Sequence, residues 1–335
     1  MALTTDILKD SIGRNHNYLR ISITEKCNLR CTYCMPAEGV PLSPSPELMT
    51  ANEIYEIAKI FVANGVNKIR LTGGEPLVRK DFTEIIEKLS TLDVSIAMTT
   101  NAVNIDRYIS NLKKFKVSII NVSLDTLKAN RFQEMTLKPN FDKVIKNIYM
   151  LINEGFQIKL NVVLLKGTND SEILDFIELT KELPISIRFI EFMPFDGNNW
   201  DRSKAVSLEE IKQLVNESYP KDAVLKIEDD PNDTAKNYKI KNFKGSFAVI
   251  STVTNPFCDS CNRLRLTANG RLRNCLFSEK ESDLLTAFRK GESIEPIIQK
   301  AVLAKAAVRA GLDTYEKFAD PNHHSKNRSM ITIGG

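Results

Sequence analysis

Short apolar runs alternate with stretches of helical period from residue 18 to about residue 192. The runs predict strands at Tyr18–Thr24, Lys68–Thr72, Val94–Thr99, Ile119–Leu124, Gln157–Leu164 and Ile185–Phe192. Most are rich in Ile, Val and Leu rather than strictly alternating, as in a parallel sheet covered by helices. Between them the pattern predicts helices at Thr50–Ala63, Asp81–Ser90, Ile105–Lys113, Asn140–Asn153 and Ser171–Lys181. Thr50 followed three residues later by Glu53 has the spacing of a capping box. Repeated βα units of this kind predict an α/β chain with a parallel barrel or open barrel.

The rhythm stops near residue 195, where FDGNNW is rich in turn formers. A helix around Ser207–Asn216, a charged loop-like stretch (KIEDDPNDTAKN) and a strand at Phe247–Thr252 follow. Helical segments are predicted around Ser282–Lys290 and Glu295–Ala310, and a polar tail after Phe318. The expected organisation is a partial barrel over residues 1–200 and a separate region over residues 201–335.

Composition adds little to this picture: 42% hydrophobic and 26% charged residues are those of an ordinary globular protein. No apolar run reaches membrane-spanning length, and the start MALTTDILKD has neither a signal-peptide nor a transit-peptide character. A cytoplasmic protein with no membrane association is the expectation. The net charge of +4 is too small to argue for nucleic acid, so a local basic pocket for a small polyanion fits better.

Cysteine placement changes the picture most. The six cysteines form two triplets: Cys27, Cys31 and Cys34 in CNLRCTYC, and Cys258, Cys261 and Cys275 in CDSCNRLRLTANGRLRNC. In a reducing compartment clustered thiols point to metal or redox chemistry rather than disulfides. Structural zinc wants four ligands, and none of the three histidines has a zinc-finger spacing to the first triplet. Three soft ligands around a polynuclear centre leave one metal position open for a small molecule. A zinc-stapled scaffold or binding protein is the bland alternative.

Polar motifs fall at the ends of successive predicted strands: TGGEP after the second, TTN after the third, SLD after the fourth, and EFMP after the sixth. Barrel enzymes assemble their sites at that end, and several such ends in register favour a site over a set of ordinary βα turns. Gly73 and Gly74 allow close backbone approach, and Glu75 beside them can accept from an ammonium group. Around the second triplet Arg263, Arg265, Arg271 and Arg273 alternate with leucines. Each pair then lies on one face, either as a solvated hairpin or as a guanidinium fork for phosphate.

CNLRCTYC at the end of a first barrel strand, followed by GGEP one βα unit on, resembles the radical S-adenosylmethionine enzymes. The resemblance implies that Cys27, Cys31 and Cys34 hold a 4Fe–4S cluster that binds and reductively cleaves S-adenosylmethionine. It implies that Tyr33, Gly74, Ser123 and Met193 contact that cofactor. Each of the four, taken alone, reads as a turn or a packed strand end.

The similarity then extends along almost the whole chain, through LRISITEKCNLRCTYCMP, IRLTGGEPLVRKD, INVSLD, RFIEFMPFDGNNW, FCDSCNRLRLTANGRLRNCLF and the final Gly-Gly. In these motifs the chain is similar to the GTP 3′,8-cyclase family of molybdenum cofactor biosynthesis. That resemblance implies an incomplete (β/α)6 TIM-like barrel with a C-terminal α+β extension carrying a second 4Fe–4S cluster on Cys258, Cys261 and Cys275. It implies a lyase acting on GTP, with Arg20, Arg70, Thr99, Lys159, Arg263 and Arg265 binding the nucleotide and Arg188 contributing. Hydrogen abstraction from ribose C3′ and attack on guanine C8 would give 3′,8-cyclo-7,8-dihydro-GTP, with the two clusters facing one cavity.

A flavodoxin- or ferredoxin-like electron donor and a downstream cyclic pyranopterin monophosphate synthase are implied as partners, and a homodimer is allowed. The rival within the superfamily is an enzyme with an auxiliary cluster acting on a peptide or other small substrate. Two details remain open in the sequence. Ala102 stands where many such chains have the glycine of TTNG, and Gly334–Gly335 is either a frayed end or an element of the site.

Overall fold

The computed structural model describes residues 6–36, 38–320, 323–324 and 327–334. Six strands run in parallel: β1 (Tyr18–Ser22), β2 (Lys68–Thr72), β3 (Ser95–Thr100), β4 (Ile119–Ser123), β5 (Gln157–Leu164) and β6 (Ser186–Glu191). Helices at Ala51–Ala63, Phe82–Leu89, Ile109–Lys114, Phe141–Asn153 and Ile173–Glu182 cross between them. The capping box forms as its spacing predicts: the Thr50 hydroxyl accepts from Glu53 N, and the Glu53 carboxylate accepts from Thr50 N at 2.7 Å.

Several elements differ from the sequence expectation: the predicted helix Glu295–Ala310 ends at Leu303, and Ser282–Asp283 is a short strand before the helix Leu284–Arg289. The predicted helix Ile105–Lys113 breaks into a 3-10 turn, Ile105–Arg107, and a helix starting at Ile109. An extra helix, Ala129–Thr136, follows β4; its sequence ANRFQEMT is too polar to show an apolar period, and Leu137 ends it at φ 55°.

The later strands are β7 (Val224–Lys226), β8 (Lys236–Ile240), β9 (Ser246–Ile250), β10 (Arg263–Leu266), β11 (Arg271–Arg273) and β12 (Ser282–Asp283). They join the same sheet at both margins, in the order β12-β11-β10-β1-β2-β3-β4-β5-β6-β9-β8-β7. Strand β10 lies parallel to β1 and β9 parallel to β6. The sheet is therefore an open barrel, extended on each side by a small antiparallel ladder. The stretch KIEDDPNDTAKN, expected as loop throughout, contributes Lys226 to β7 and Lys236 and Asn237 to β8.

Each parallel strand has two faces of opposite character. Leu19, Ile21, Ile69 and Leu71 are fully buried, in one core with Ile54, Ile57 and Phe61 of the first helix. Truncating one such large side chain to alanine costs about 2–5 kcal/mol. The alternate positions carry Tyr18, Arg20, Lys68, Arg70, Asn121, Lys159, Asn161 and Arg188, which line a cavity. The inner face is thus polar, and the apolar runs seen in the sequence are outer faces interrupted every second residue.

Candidate functional site

Strand direction places the two cysteine triplets at opposite ends of the barrel. Cys27, Cys31 and Cys34 follow the carboxyl end of β1. Cys258 and Cys261 precede the amino end of β10, which runs alongside β1 with Arg263 opposite Tyr18. Arg14 fixes the second loop, donating to the Cys258 carbonyl at 2.8 Å and to the carbonyls of Ala306 and Ala307.

At the first end, the loop after β2 packs tightly on the segment before the cysteines. A Cβ on Gly73 would lie 2.6 Å from the Thr24 carbonyl oxygen, and one on Gly74 would lie 2.4 Å from that of Lys26. Backbone fills both places, so glycine is required for this approach. Gly74 N and Glu75 N donate to those carbonyls at 2.8 Å. The Glu75 carboxylate is buried and fully engaged, accepting from the Thr100 hydroxyl, Asn101 N and Leu77 N. It ties the loop after β2 to the end of β3, and burial raises its pKa to about 7. Asn101 continues the chain of contacts, donating to Asn28 Oδ1 at 2.8 Å and reaching the Cys27 sulfur at 3.8 Å.

Tyr33, between Cys31 and Cys34, donates to Asp125 at 2.7 Å; the other carboxylate oxygen of Asp125 accepts from Val163 N. Asp125 follows Ser123, the last residue of β4. Burial first, then the neighbouring acids and thiols, pushes the first triplet upward: Cys27 to about 11, Cys34 to about 12, and Cys31 well above the usual thiol range.

The barrel interior holds a cavity of about 450 Å³, within the ordinary range of small-molecule sites. Its walls include Arg20, Arg70, Lys159, Arg263, Arg265 and Met193 of the expected site, together with Arg188 and all three cysteines of the second triplet. Tyr18, Lys68, Asn121, Asn161 and residues 230–234 also line it. No acid within 4 Å pairs with Arg20, Lys68, Arg70, Lys159, Arg188, Arg263 or Arg265 among the described residues. Burial above all, with the crowding of these cations added to it, brings Lys159 down to about 8 and Arg20 to about 10. Buried polar atoms without a partner point the same way: Arg20 Nε, Arg188 Nε, Asn121 Oδ1 and Asn161 Oδ1. Asp230 and Asp233 lie in the same wall, and Asp233 offsets Lys159 and Arg188 only in part. An excess of cations with spare donors and acceptors is left, which fits a polyanionic ligand.

Several expected residues stay outside that cavity. Cys27, Cys31, Cys34, Tyr33, Gly74, Thr99 and Ser123 do not line it. The expectation that both triplets face one open space is therefore met only by the second. The intervening element is the segment Ser329–Gly334. The Ser329 hydroxyl donates to the Cys34 carbonyl at 3.0 Å, Met330 lines the cavity, and Arg265 donates to the Gly334 carbonyl at 2.6 Å. Gly334 sits against Ser22 and Thr72 with φ 89°. Gly335 lies outside the described residues.

The donor sets suit polynuclear metal groups. The thiols of each triplet sense one another electrostatically, yet among the described residues no three His, Cys, Asp or Glu side chains converge on one ion. A cluster spreads its thiolates over several metal atoms, so they need not meet at a point.

Sequence reasoning missed Tyr18, Lys68 and Asn121, all on predicted strands, and gave Asp125 of SLD and Asn161 of the fifth strand no role of their own; the polar member at every second position was the available signal. It also missed Lys305, which a helical reading of its segment conceals. The arginine pairs divide: Arg263 and Arg265 face the cavity, whereas Arg273 is buried against Glu281 and Asn327, and Arg271 pairs with Asp283.

Comparison with known proteins matches the Radical SAM superfamily over residues 21–180 and the family described as Molybdenum Cofactor Synthesis C over residues 185–310. The mitochondrial GTP 3′,8-cyclase of Arabidopsis thaliana is 45% identical, with 99% of this chain and 84% of that protein covered. The GTP 3′,8-cyclase of Alkaliphilus oremlandii is 39% identical, with 98% and 100% covered. The chain spans about half the length of relatives named molybdenum cofactor biosynthesis protein 1, 51% in Mus musculus. Among solved structures, Streptococcus suis SuiB bound to S-adenosylmethionine aligns with a TM-score of 0.60 at 18% identity, covering 81% of this chain and 65% of that one; it shares the fold.

Proposed function

Because the chain belongs to the GTP 3′,8-cyclase family within the Radical SAM superfamily, we propose that it converts GTP to 3′,8-cyclo-7,8-dihydro-GTP in the first step of molybdenum cofactor biosynthesis. Two 4Fe–4S clusters and S-adenosylmethionine are its cofactors. The observation that carries the reading is the cavity in which seven basic side chains without acid partners stand beside Cys258, Cys261 and Cys275.

Cys27, Cys31 and Cys34 would hold one cluster, and Cys258, Cys261 and Cys275 the other. When bound, these groups supply one-electron cleavage of the sulfonium of S-adenosylmethionine and, through it, removal of a ribose hydrogen. The chain's own residues position the substrate. Arg20, Arg70, Lys159, Arg188, Arg263 and Arg265 offset the roughly four negative charges of a triphosphate and fix its direction with forked donors. Anchoring at the β10 end turns the ribose toward the carboxyl ends of the strands, where the first triplet lies. Rigid placement of this kind lowers the barrier without any protein group reacting. Walls drawn from the sheet and from Met330 keep water from the reacting atoms. Tyr33, Gly74, Ser123 and Met193 are assigned to S-adenosylmethionine, and Thr99 to the nucleotide from its place in TTN.

The electron donor is of the flavodoxin or ferredoxin type, and the product passes to a cyclic pyranopterin monophosphate synthase. The protein acts in the cytoplasm; among the described residues no helix is long and apolar enough to cross a membrane. A division near residue 200 separates a cofactor-binding part from a part that completes the nucleotide pocket. A peptide without clustered carboxylates fits poorly, since it gives these cations nothing to neutralise.

The test is an anaerobic incubation of reconstituted protein with GTP and S-adenosylmethionine. Equimolar 5′-deoxyadenosine and cyclised nucleotide are expected, from protein holding about eight iron and eight sulfide per chain. Deoxyadenosine without cyclised nucleotide would overturn the assignment of substrate.

A further inference from the structure

Lys305 is a buried lysine, 5% exposed, that the sequence motifs do not single out. Its Nζ has three neighbours: His16 Nε2 at 2.8 Å, the Arg263 carbonyl oxygen at 3.0 Å and the Cys261 sulfur at 3.4 Å. Each of the three is an acceptor. His16 Nδ1 lies 2.9 Å from the Leu8 carbonyl, which can only accept, so Nδ1 carries the ring proton. Burial and the adjacent Lys305 hold His16 at about 4, so the ring is neutral and Nε2 is a bare lone pair. A carbonyl and a thiolate complete the set. Three acceptors around one nitrogen match the three N–H bonds of an ammonium group.

The two sulfur triplets differ sharply in this respect. Among the described residues Cys27 receives neutral donors, the backbone N–H groups of Asn28 and Leu29 and Asn101 Nδ2, and the acids Glu75 and Asp125 stand near its triplet. Cys261 has Arg263 and Lys305 beside it. Charge and hydrogen bonds at the ligand sulfurs are what set the potential of an iron–sulfur cluster.

We infer that Lys305 is a positioning residue for the second cluster, holding the Cys261 thiolate through N–H···S contact and raising that cluster's reduction potential above that of the first. The inference rests on the proposed reading of Cys258, Cys261 and Cys275 as cluster ligands. A cation beside the sulfur favours the more negative, reduced cluster. His16 and the Arg263 carbonyl aim the ammonium at Cys261. An auxiliary centre poised in this way would take up an electron more readily than the centre beside S-adenosylmethionine, and would hold it longer.

The test is a redox titration of the reconstituted two-cluster protein followed by electron paramagnetic resonance. Signals are assigned by their response to S-adenosylmethionine for the first cluster and to GTP for the second. Wild type should show the second cluster at the higher potential. Lys305→Met, with full iron and sulfide, should move the second potential to more negative values and leave the first where it was; Lys305→Arg should restore most of the shift. If Lys305→Met loses the second cluster while Lys305→Arg keeps it, the role stands; loss in both overturns it. An unmoved second potential in iron-replete Lys305→Met also overturns it. Wild type with iron for one cluster only removes the reading beneath it, a separate failure visible before any variant is made.

Discussion

Inside the barrel the Tyr18 hydroxyl oxygen accepts a hydrogen bond from Arg70 Nε at 2.5 Å. Arg70 also donates to the Met98 carbonyl, and Lys68 Nζ stands 5.1 Å from the centre of the Tyr18 ring. The phenol is the acidic group nearest Arg70, Arg20 and Lys68; of the carboxylates in the same cavity wall, Asp230 and Asp233, the second acts on Lys159 and Arg188. Loss of water contact opposes its ionisation, but Arg70, Arg20 and Lys68 outweigh that and bring its pKa from 10.0 to about 7.

The sign of the resulting pH dependence follows from linkage. A folded-state value below the unfolded one means that ionised Tyr18 stabilises the fold. That contribution is complete above about pH 10 and is lost as pH falls through about 7. Tyr18→Phe should therefore be less stable than wild type, by a margin that widens between pH 7 and pH 9. Thermal unfolding of both proteins at three pH values measures it. A gap that stays constant would mean the phenol remains neutral throughout.

Arg263 lies in the cavity wall with its guanidinium 4.8 Å from the Phe257 ring centre. Arg263→Ala removes a charged donor to the nucleotide, a loss of about 1.5–3 kcal/mol, or roughly 10- to 100-fold in affinity. Calorimetric titration with GTP reads the change directly. Cleavage of S-adenosylmethionine without GTP should persist at the wild-type rate, since Arg263 lies at the other end of the barrel.

How far the sequence carried these conclusions can be seen in particular residues. Lys68–Thr72 and Gln157–Leu164 appear as strands with the ends expected, because apolar outer faces gave them a clear signal. Arg70 and Lys159 stood out through the family resemblance and Asn161 by its place in the fifth strand, whereas Tyr18 did not, although the same period-two pattern carried all four. The β7–β8 ladder escaped notice because an edge ladder that is mostly solvated needs few apolar residues. The His16–Lys305–Cys261 contact joins residues far apart in the chain, and only the fold brings them together.

Ala102 illustrates a departure that the backbone absorbs. It takes φ 59° where a glycine would be at ease, and its carbonyl accepts from Asn147 Nδ2 at 2.7 Å. The left-handed turn costs alanine about 1–2 kcal/mol. Glycine would relieve that, but would give up a buried methyl group worth about 0.8 kcal/mol and about 0.5–1 kcal/mol of chain entropy. Ala102→Gly should thus fall within about 1 kcal/mol of wild type in urea unfolding. Ala102→Val should lose more than about 2 kcal/mol, because a branched side chain resists positive φ.

The last prediction concerns Gly334, which lies between Ser22 and Thr72 and bonds Arg265 through its carbonyl. A Cβ there would stand 2.7 Å from Thr72 Oγ1 and 2.8 Å from Ser22 Cβ, at a φ of 89°. Gly334→Ala therefore displaces the segment and frees Arg265, a residue assigned to the triphosphate. None of the six cysteines lies in this segment, so iron content should stay within a few per cent of wild type, while turnover falls at least tenfold. Deleting residues 334–335 should act in the same direction. Iron and sulfide analysis beside the cyclisation assay separates the two quantities. Parallel loss of both would make the segment a support for the metal loops, through Ser329 and Cys34, rather than a part of the substrate pocket.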